Sequence, residues 1–208
     1  MEKKVWSQNN EQLIIEDFFK DIKGTFLDLG CNDGITLSNT YALVKLGWAG
    51  LMVDASPKAY SRLIENMPFE NDLTFMNCAV GKFDGEIILH ESGELLGTGD
   101  TSLVSSTLEE ETKRWGSLNM PFEDVKVPCR TFPSLLSQTK QKQFDFISMD
   151  IEGMELEVLP QMDLKALGCK MICVEFNGKE KEKYDAIIEP QGYKLIHKNA
   201  ENLIYITQ

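Results

Sequence analysis

Short apolar runs recur along this chain, and amphipathic segments fill the intervals between them. Thr25–Gly30, Gly50–Asp54, Leu73–Asn77, Phe144–Asp150 and Met171–Phe176 read as strands apolar enough to be buried on both faces. Between them lie helical stretches at Thr36–Leu46, Pro57–Asn66, Glu155–Leu159 and Lys179–Glu189. Ser56 before Pro57 is a capped start, with a hydroxyl at the N-cap and proline in the first turn. Strands alternating with helices call for one open, mainly parallel sheet covered by helices on both faces. Tyr193–His197 and Leu203–Ile206 read as a closing β-pair, entered through a turn at Gly192.

A different texture interrupts the alternation after the third strand. Asp84-Gly85 is a hairpin signal, Glu86–His90 reads as the returning strand and Val125–Arg130 as a further one. Glu91–Glu123 is rich in Gly, Ser, Thr and charge, as expected of an inserted loop or lid; Trp115, Met120 and Phe122 are its candidate covering residues. Ahead of the first strand, residues 1–24 form an N-terminal helical segment. The 208 residues therefore read as a single domain with one insertion.

Charge and cysteine usage narrow the function classes. The chain carries 33 acidic against 21 basic residues, a formal net charge of −12. Such a surface repels phosphate backbones, which speaks against a general nucleic-acid partner. No run approaches the ~20 apolar residues of a membrane span, so no membrane partner is expected. Neither an apolar leader after Lys3-Lys4 nor a paired cysteine motif is present. The five scattered cysteines fit buried, reduced thiols, and a cytoplasmic setting is expected.

Chemistry concentrates in Phe26-Leu-Asp-Leu-Gly-Cys-Asn-Asp-Gly34. An apolar strand, an acid and a glycine loop form a nucleotide-type site at the end of strand one. Counted from Gly30, a dinucleotide fingerprint wants glycines at positions 32 and 35, where this chain has Asn32 and Ile35. The loop therefore suits a nucleoside ligand without bridging phosphates. Asp54 stands 20 residues after Gly34, at the end of strand two, where an acid accepts from ribose hydroxyls.

Further motifs extend the pattern: Val53-Asp-Ala-Ser-Pro57, Asn77-Cys-Ala-Val-Gly81, Val127-Pro-Cys-Arg-Thr-Phe132, and Phe144-Asp-Phe-Ile-Ser-Met-Asp-Ile-Glu-Gly-Met-Glu155. In this order they resemble the FkbM family of S-adenosylmethionine-dependent methyltransferases, most distinctively in Asp150-x-Glu152-Gly153-x-Glu155. The resemblance implies a class I methyltransferase fold, Rossmann-like, with seven strands, the last of them antiparallel. It implies that Asp28, Gly30, Asn32 and Gly34 hold the methionine portion and ribose of the cofactor. Asp54 would take the ribose, Ala79 and Val80 the adenine, and Asp150 would face the methyl-transfer point. Cys31, Ala55 and Ser102 belong to the same cofactor set, Ser102 through a segment with Leu103 that resembles the family's approach to the active site. The chain departs from the family pattern with Asp54 in place of a glutamate, Cys31 in place of a smaller residue and Ser148 where lysine is frequent.

The expected reaction is O-methylation of a small-molecule or carbohydrate-like (glycan) acceptor. Asp150, Glu152 and His90 are the candidate bases; His197 is the other imidazole. Asp150, Glu175 and Asn177, at the ends of adjacent strands, could also hold Mg²⁺ or Ca²⁺ through oxygen donors. Against the metal stands a capping role for Glu152 and Glu155 at the following helix. Two other classes stay open at this level: a non-catalytic cofactor-binding module, and a nucleotide-dependent oxidoreductase, which the loop spacing disfavours.

Overall fold

The structure, a computed structural model, describes residues 4–67, 72–94, 102–116 and 120–208, without the Trp115 side chain. A helix α1 (Glu11–Phe19) precedes β1 (Thr25–Leu29), α2 (Tyr41–Lys45), β2 (Ala49–Asp54), α3 (Pro57–Asn66) and β3 (Leu73–Asn77). Then follow β4 (Ala79–Gly81), β5 (Gly85–Ser92), α4 (Glu109–Gly116), β6 (Phe122–Thr131), α5 (Phe132–Ser137) and β7 (Phe146–Met149). The chain closes with α6 (Glu155–Val158), β8 (Met171–Glu175), α7 (Lys181–Ile188), β9 (Tyr193–Lys198) and β10 (Asn202–Thr207).

Seven strands form one sheet in the order β3-β2-β1-β7-β8-β10-β9, with β10 antiparallel to both its neighbours. Side chains alternate across the strands, so each face has its own core. Leu27, Leu51, Ile147 and Ile172 pack with Leu135, Val158 and Tyr184 on one side. Phe26, Met52, Phe146 and Met171 pack with Ile15, Phe19, Leu43 and Leu63 on the other. Both faces are thus sealed, as continuous apolar strands require. All five cysteines are buried and unpaired, as their apolar neighbours implied. Among the described residues no helix is long and apolar enough to cross a membrane.

Three expectations from the sequence are corrected. The helix read over Thr36–Leu46 begins only at Tyr41, because polar side chains take the backbone N–H groups ahead of it. Asp33 accepts from the N–H of Ile35 and of Thr36, and Ser38 from those of Thr40 and Tyr41. The Asp84-Gly85 turn does not join paired strands. β4 and β5 lie on opposite sides of β6, parallel and antiparallel to it, in a separate three-stranded sheet. The insertion is also more regular than its composition implied. β5 runs on to Ser92, β6 starts at Phe122, and α4 lies between them.

Candidate active site

Because β1, β2, β7 and β8 are parallel, their carboxyl ends meet at one edge. The strand order reverses between β1 and β7, the switch point where open α/β sheets take their ligands. One cavity occupies this edge. Its lining includes Asp28, Gly30, Cys31, Asn32, Asp54, Ala55, Ala79, Val80, Ser102, Asp150, Glu152, Glu175 and Asn177. The strand ends thus bring nearly the whole expected set into one place, although the sequence spreads it over 150 positions. Gly34 lies just behind the lining, at the turn.

The two loop glycines have different jobs. Both have left-handed backbones, with φ of 82° at Gly30 and 77° at Gly34. At Gly30 a Cβ would lie 1.6 Å from the carbonyl oxygen of Asp150, so only glycine lets β1 pass this close to the end of β7. At Gly34 a Cβ would meet side-chain ends instead, those of Met67, Leu63 and Met52, at 2.6, 2.7 and 3.3 Å. The result is a cradle built of backbone, into which a ligand can approach closely.

Asp54 organises the loop from below. Its Oδ2 accepts from Asn32 N–H at 2.7 Å and its Oδ1 from Ser56 N–H at 2.8 Å. Each carboxylate oxygen keeps further acceptor capacity for a ligand hydroxyl. Asp28 accepts from the Thr40 hydroxyl at 2.5 Å. Burial pushes Asp28 up to about 7, against that hydrogen bond, with the neighbouring Asp150 and Asp54 adding to the rise. Burial likewise lifts Asp54 to about 6, against its two backbone donors. The Cys31 thiol is driven well above its ordinary value, first by burial and then by Asp28 and Asp54, so it stays protonated and inert.

On the far rim, Ser56 caps α3 by accepting from Ala59 N–H at 3.0 Å, as its place before Pro57 implied. The same hydroxyl contacts the buried Glu91 carboxylate and lies 3.0 Å from Ser102 Oγ. Glu91 pairs with Lys58 Nζ at 2.7 Å. Ser102 is thereby fixed to the cavity wall. The preceding Gly97-Thr-Gly-Asp-Thr101 lies outside the described residues.

The acidic constellation sits at the ends of β7 and β8. Carboxylate oxygens of Asp150, Glu155 and Glu175 all come within 4.8 Å of one another. Burial is the main cause that lifts Asp150 to about 6, and burial, together with Asp150, lifts Glu175 well above the carboxylate range. Glu155 Oε1 accepts from Ile151 N–H at 2.9 Å and Gly153 N–H at 3.2 Å, bracing the turn that leads into α6; the helix cap expected of it is not formed, because both donors precede the helix and no side chain caps its start. Glu152 makes no cap either. It adopts a left-handed backbone, φ 50°, and its Oε2 and Asp150 Oδ1 are buried without a hydrogen-bond partner. Such orphaned acceptors at the cavity floor are what an incoming hydroxyl or ammonium group would satisfy.

His90 is not brought into this site. On β5 it lies on the face opposite Leu89, which lines the cavity, and its Nδ1 contacts Asp124 Oδ1 at 2.6 Å. His197, on β9, does not line the cavity either. Sequence reasoning missed Gln8, Asn39, Arg114, Glu201 and Asn202, which do line it. Only Asn202 had an available signal: it opens β10, the strand paired with β8, in register with Glu175.

The family model for the methyltransferase FkbM domain matches residues 28–195. A comparison with curated protein sequences finds no match. Among solved structures the chain is similar to a precorrin-6y C5,15-methyltransferase from Geobacter metallireducens GS-15. The TM-score is 0.55 at 10% identity, covering 99% of this chain and 92% of that one. It is also similar to a ribosomal protein L11 methylase from Lactobacillus delbrueckii subsp. bulgaricus, with TM-score 0.53, 12% identity and coverage of 95% and 77%. Monomeric WbdD gives a TM-score of 0.51 at 11% identity, and here the chain covers only 41% of the other protein. These likenesses fix the class I, Rossmann-like fold. With the cradle at Gly30 and the match over residues 28–195, the chain belongs to the FkbM family of S-adenosylmethionine-dependent methyltransferases.

Proposed function

We propose that the protein methylates a hydroxyl group of a small polyhydroxylated or glycan acceptor. The observation that carries this reading is the composition of the acceptor end of the cavity. Asp150, Glu152 and Glu175 stand there with the amides of Asn177 and Asn202, a wall made mostly of hydrogen-bond acceptors. Hydroxyl groups are the neutral donors that such a wall recognises.

The residues present fit the cofactor: a backbone cradle at Gly30, and Asp54 with acceptor capacity to spare. When bound, S-adenosylmethionine supplies an electrophilic methyl carbon on a good leaving group. The protein's own task is then to orient the acceptor oxygen and take its proton. Asp150 is placed for that. Its Oδ1 is buried without a hydrogen-bond partner, and burial raises its carboxyl to about 6. A base titrating just below the working pH is well matched to this step.

The reading is tested with labelled methyl transfer to panels of polyols, glycosides and amines. Transfer to hydroxyl acceptors is expected, with Asp150→Asn lowering kcat at least ~100-fold while cofactor affinity stays within a few-fold. Transfer confined to amines, or full activity in the variant, would overturn it. A divalent ion is the second reading, favoured by the three carboxylates within 4.8 Å of one another. Asp150, Glu155 and Glu175 would hold it, with Asn177 as a further oxygen donor, and it would lower the acceptor hydroxyl's pKa. Unchanged turnover after exhaustive chelation removes it.

A further inference from the structure

The segment before α1 has no part in the family match, which begins at residue 28, yet it reaches the cavity. Gln8 lines it together with Asn39, Glu201 and Asn202. Asn10, in the left-handed conformation at φ 68°, turns the chain from Gln8 and Asn9 into α1. Trp6 packs edge-on against Tyr41, ring centroids 5.1 Å apart, directly beyond Asn39 and the Thr40 that holds Asp28. The segment thus lies against the loop that forms the β1 end of the cavity.

Behind Gln8 is a clasp centred on Glu11, which is fully buried. Its Oε1 accepts from Asn199 Nδ2 at 2.6 Å and Asn202 Nδ2 at 2.9 Å. Its Oε2 accepts from Asn9 N–H at 2.8 Å. Asn9 Nδ2 in turn donates to Glu201 Oε2 at 2.8 Å. The clasp joins Asn9 and Glu11 to the β9–β10 turn, which also receives the N–H groups of Phe176 and Asn177 on Glu201 O. Both sides of the cavity rim are therefore tied to one buried carboxylate.

The charge distribution says what this wall faces. Among the described lining residues Arg114 is the one cationic side chain, and it stands beside Glu111 and Glu152 at the β7–β8 edge. Beside the carboxyls of Asp28 and Glu201, this part of the wall offers two side-chain amides, that of the exposed Gln8 and that of Asn39, whose Nδ2 already donates to Ser148 Oγ at 3.3 Å. An amino-acid carboxylate bound there would need such N–H donors.

Resting on the cofactor reading above, we propose that the N-terminal segment closes the methionine end of the cavity. Gln8 supplies an amide donor to the cofactor's carboxylate, and Glu11 is the positioning residue that holds Gln8 in place. The test compares two probes by calorimetry: S-adenosylhomocysteine, and 5′-methylthioadenosine, which lacks the amino-acid arm. Gln8→Ala removes an exposed side chain and leaves the fold intact. Glu11→Gln keeps an acceptor for the two asparagines but sets an amide N–H₂ against Asn9 N–H. Both variants should bind S-adenosylhomocysteine about tenfold more weakly, the value of roughly one hydrogen bond to a charged acceptor. Both should bind methylthioadenosine within twofold of the parent. Equal affinity of Gln8→Ala and parent for S-adenosylhomocysteine, or equal weakening of both probes, would overturn the proposal. A parent protein that binds neither probe would instead overturn the cofactor reading itself, and this proposal with it.

Discussion

Replacing Gly30 and Gly34 separately by alanine should have very different consequences, although the two share one loop and nearly one φ. Holding an alanine in the left-handed region costs about 1–2 kcal/mol at either position. At Gly34 less is added than at Gly30, because the atoms met by the new Cβ are the far ends of the Met67, Leu63 and Met52 side chains rather than backbone. At Gly30 the new Cβ lies 1.6 Å from Asp150 O, and contacts under 3.0 Å are essentially not found. The carbonyl would have to retreat by about 1.4 Å to reach even that limit. It cannot do so alone, since Asp150 N–H donates to Leu29 O at 2.9 Å and the residue directly follows β7. The movement would break the register of β1 and β7 and displace Asp150 from Glu175. Gly30→Ala should therefore cost more than about 4 kcal/mol, beyond the range of ordinary substitutions, and abolish cofactor binding. Gly34→Ala should remain folded and bind within about tenfold. Urea denaturation and S-adenosylhomocysteine calorimetry on both variants measure this. Two alanine variants of similar stability would refute the close approach of the strand ends as the reason for Gly30.

Two further outcomes follow from the buried carboxyls and the rim. Asp28, Asp54, Asp150 and Glu155 all titrate above their unfolded values, chiefly through burial. The folded chain thus holds these protons more firmly. Their contribution to stability is complete below about pH 4 and is lost as pH rises through about 6–7, so the ligand-free protein should melt several degrees lower at pH 8 than at pH 5.5. Glu11, Glu91 and Asp145 are held low by their partners and set the acid limit, below about pH 4.5. A melting temperature that climbs from pH 5.5 to 8 would contradict this. Ser56→Ala should cost about 2 kcal/mol in urea denaturation, because it removes the α3 cap and a partner of buried Glu91 together; a change under 0.5 kcal/mol would show that the network carries nothing.

The parts of the site that were legible in the sequence are those with local signatures. Gly30, Gly34 and Asp54 announce themselves by spacing around two apolar strands, and parallel strands bring such positions to one edge. Ser56 is likewise readable, since a cap and its helix are neighbours in the chain. The Asp28–Thr40 bond was hidden because an apparent helical period ran through Thr36–Leu46. Asp33 and Ser38 instead bind the backbone themselves, and Leu37 takes a positive φ of 54° that no residue pattern marks. The Glu11 clasp was out of reach for another reason. Its partners lie about 190 residues away and are chosen by the end-to-end folding of the sheet, which leaves no trace in neighbouring residues. The second sheet is a similar case: β4 pairs with a strand some 50 positions later, so Asp84-Gly85 read locally as a hairpin.

The most direct test of the account is calorimetric titration of the parent protein and of Asp54→Ala with S-adenosylhomocysteine and, separately, with NAD. The cavity at the β1–β7 switch point, with its phosphate-unfriendly loop and Asp54 at its floor, predicts micromolar binding of S-adenosylhomocysteine. Asp54→Ala should weaken that binding roughly ten- to a hundredfold, and NAD should give no heat. Heat from NAD with none from S-adenosylhomocysteine would contradict the account at its centre.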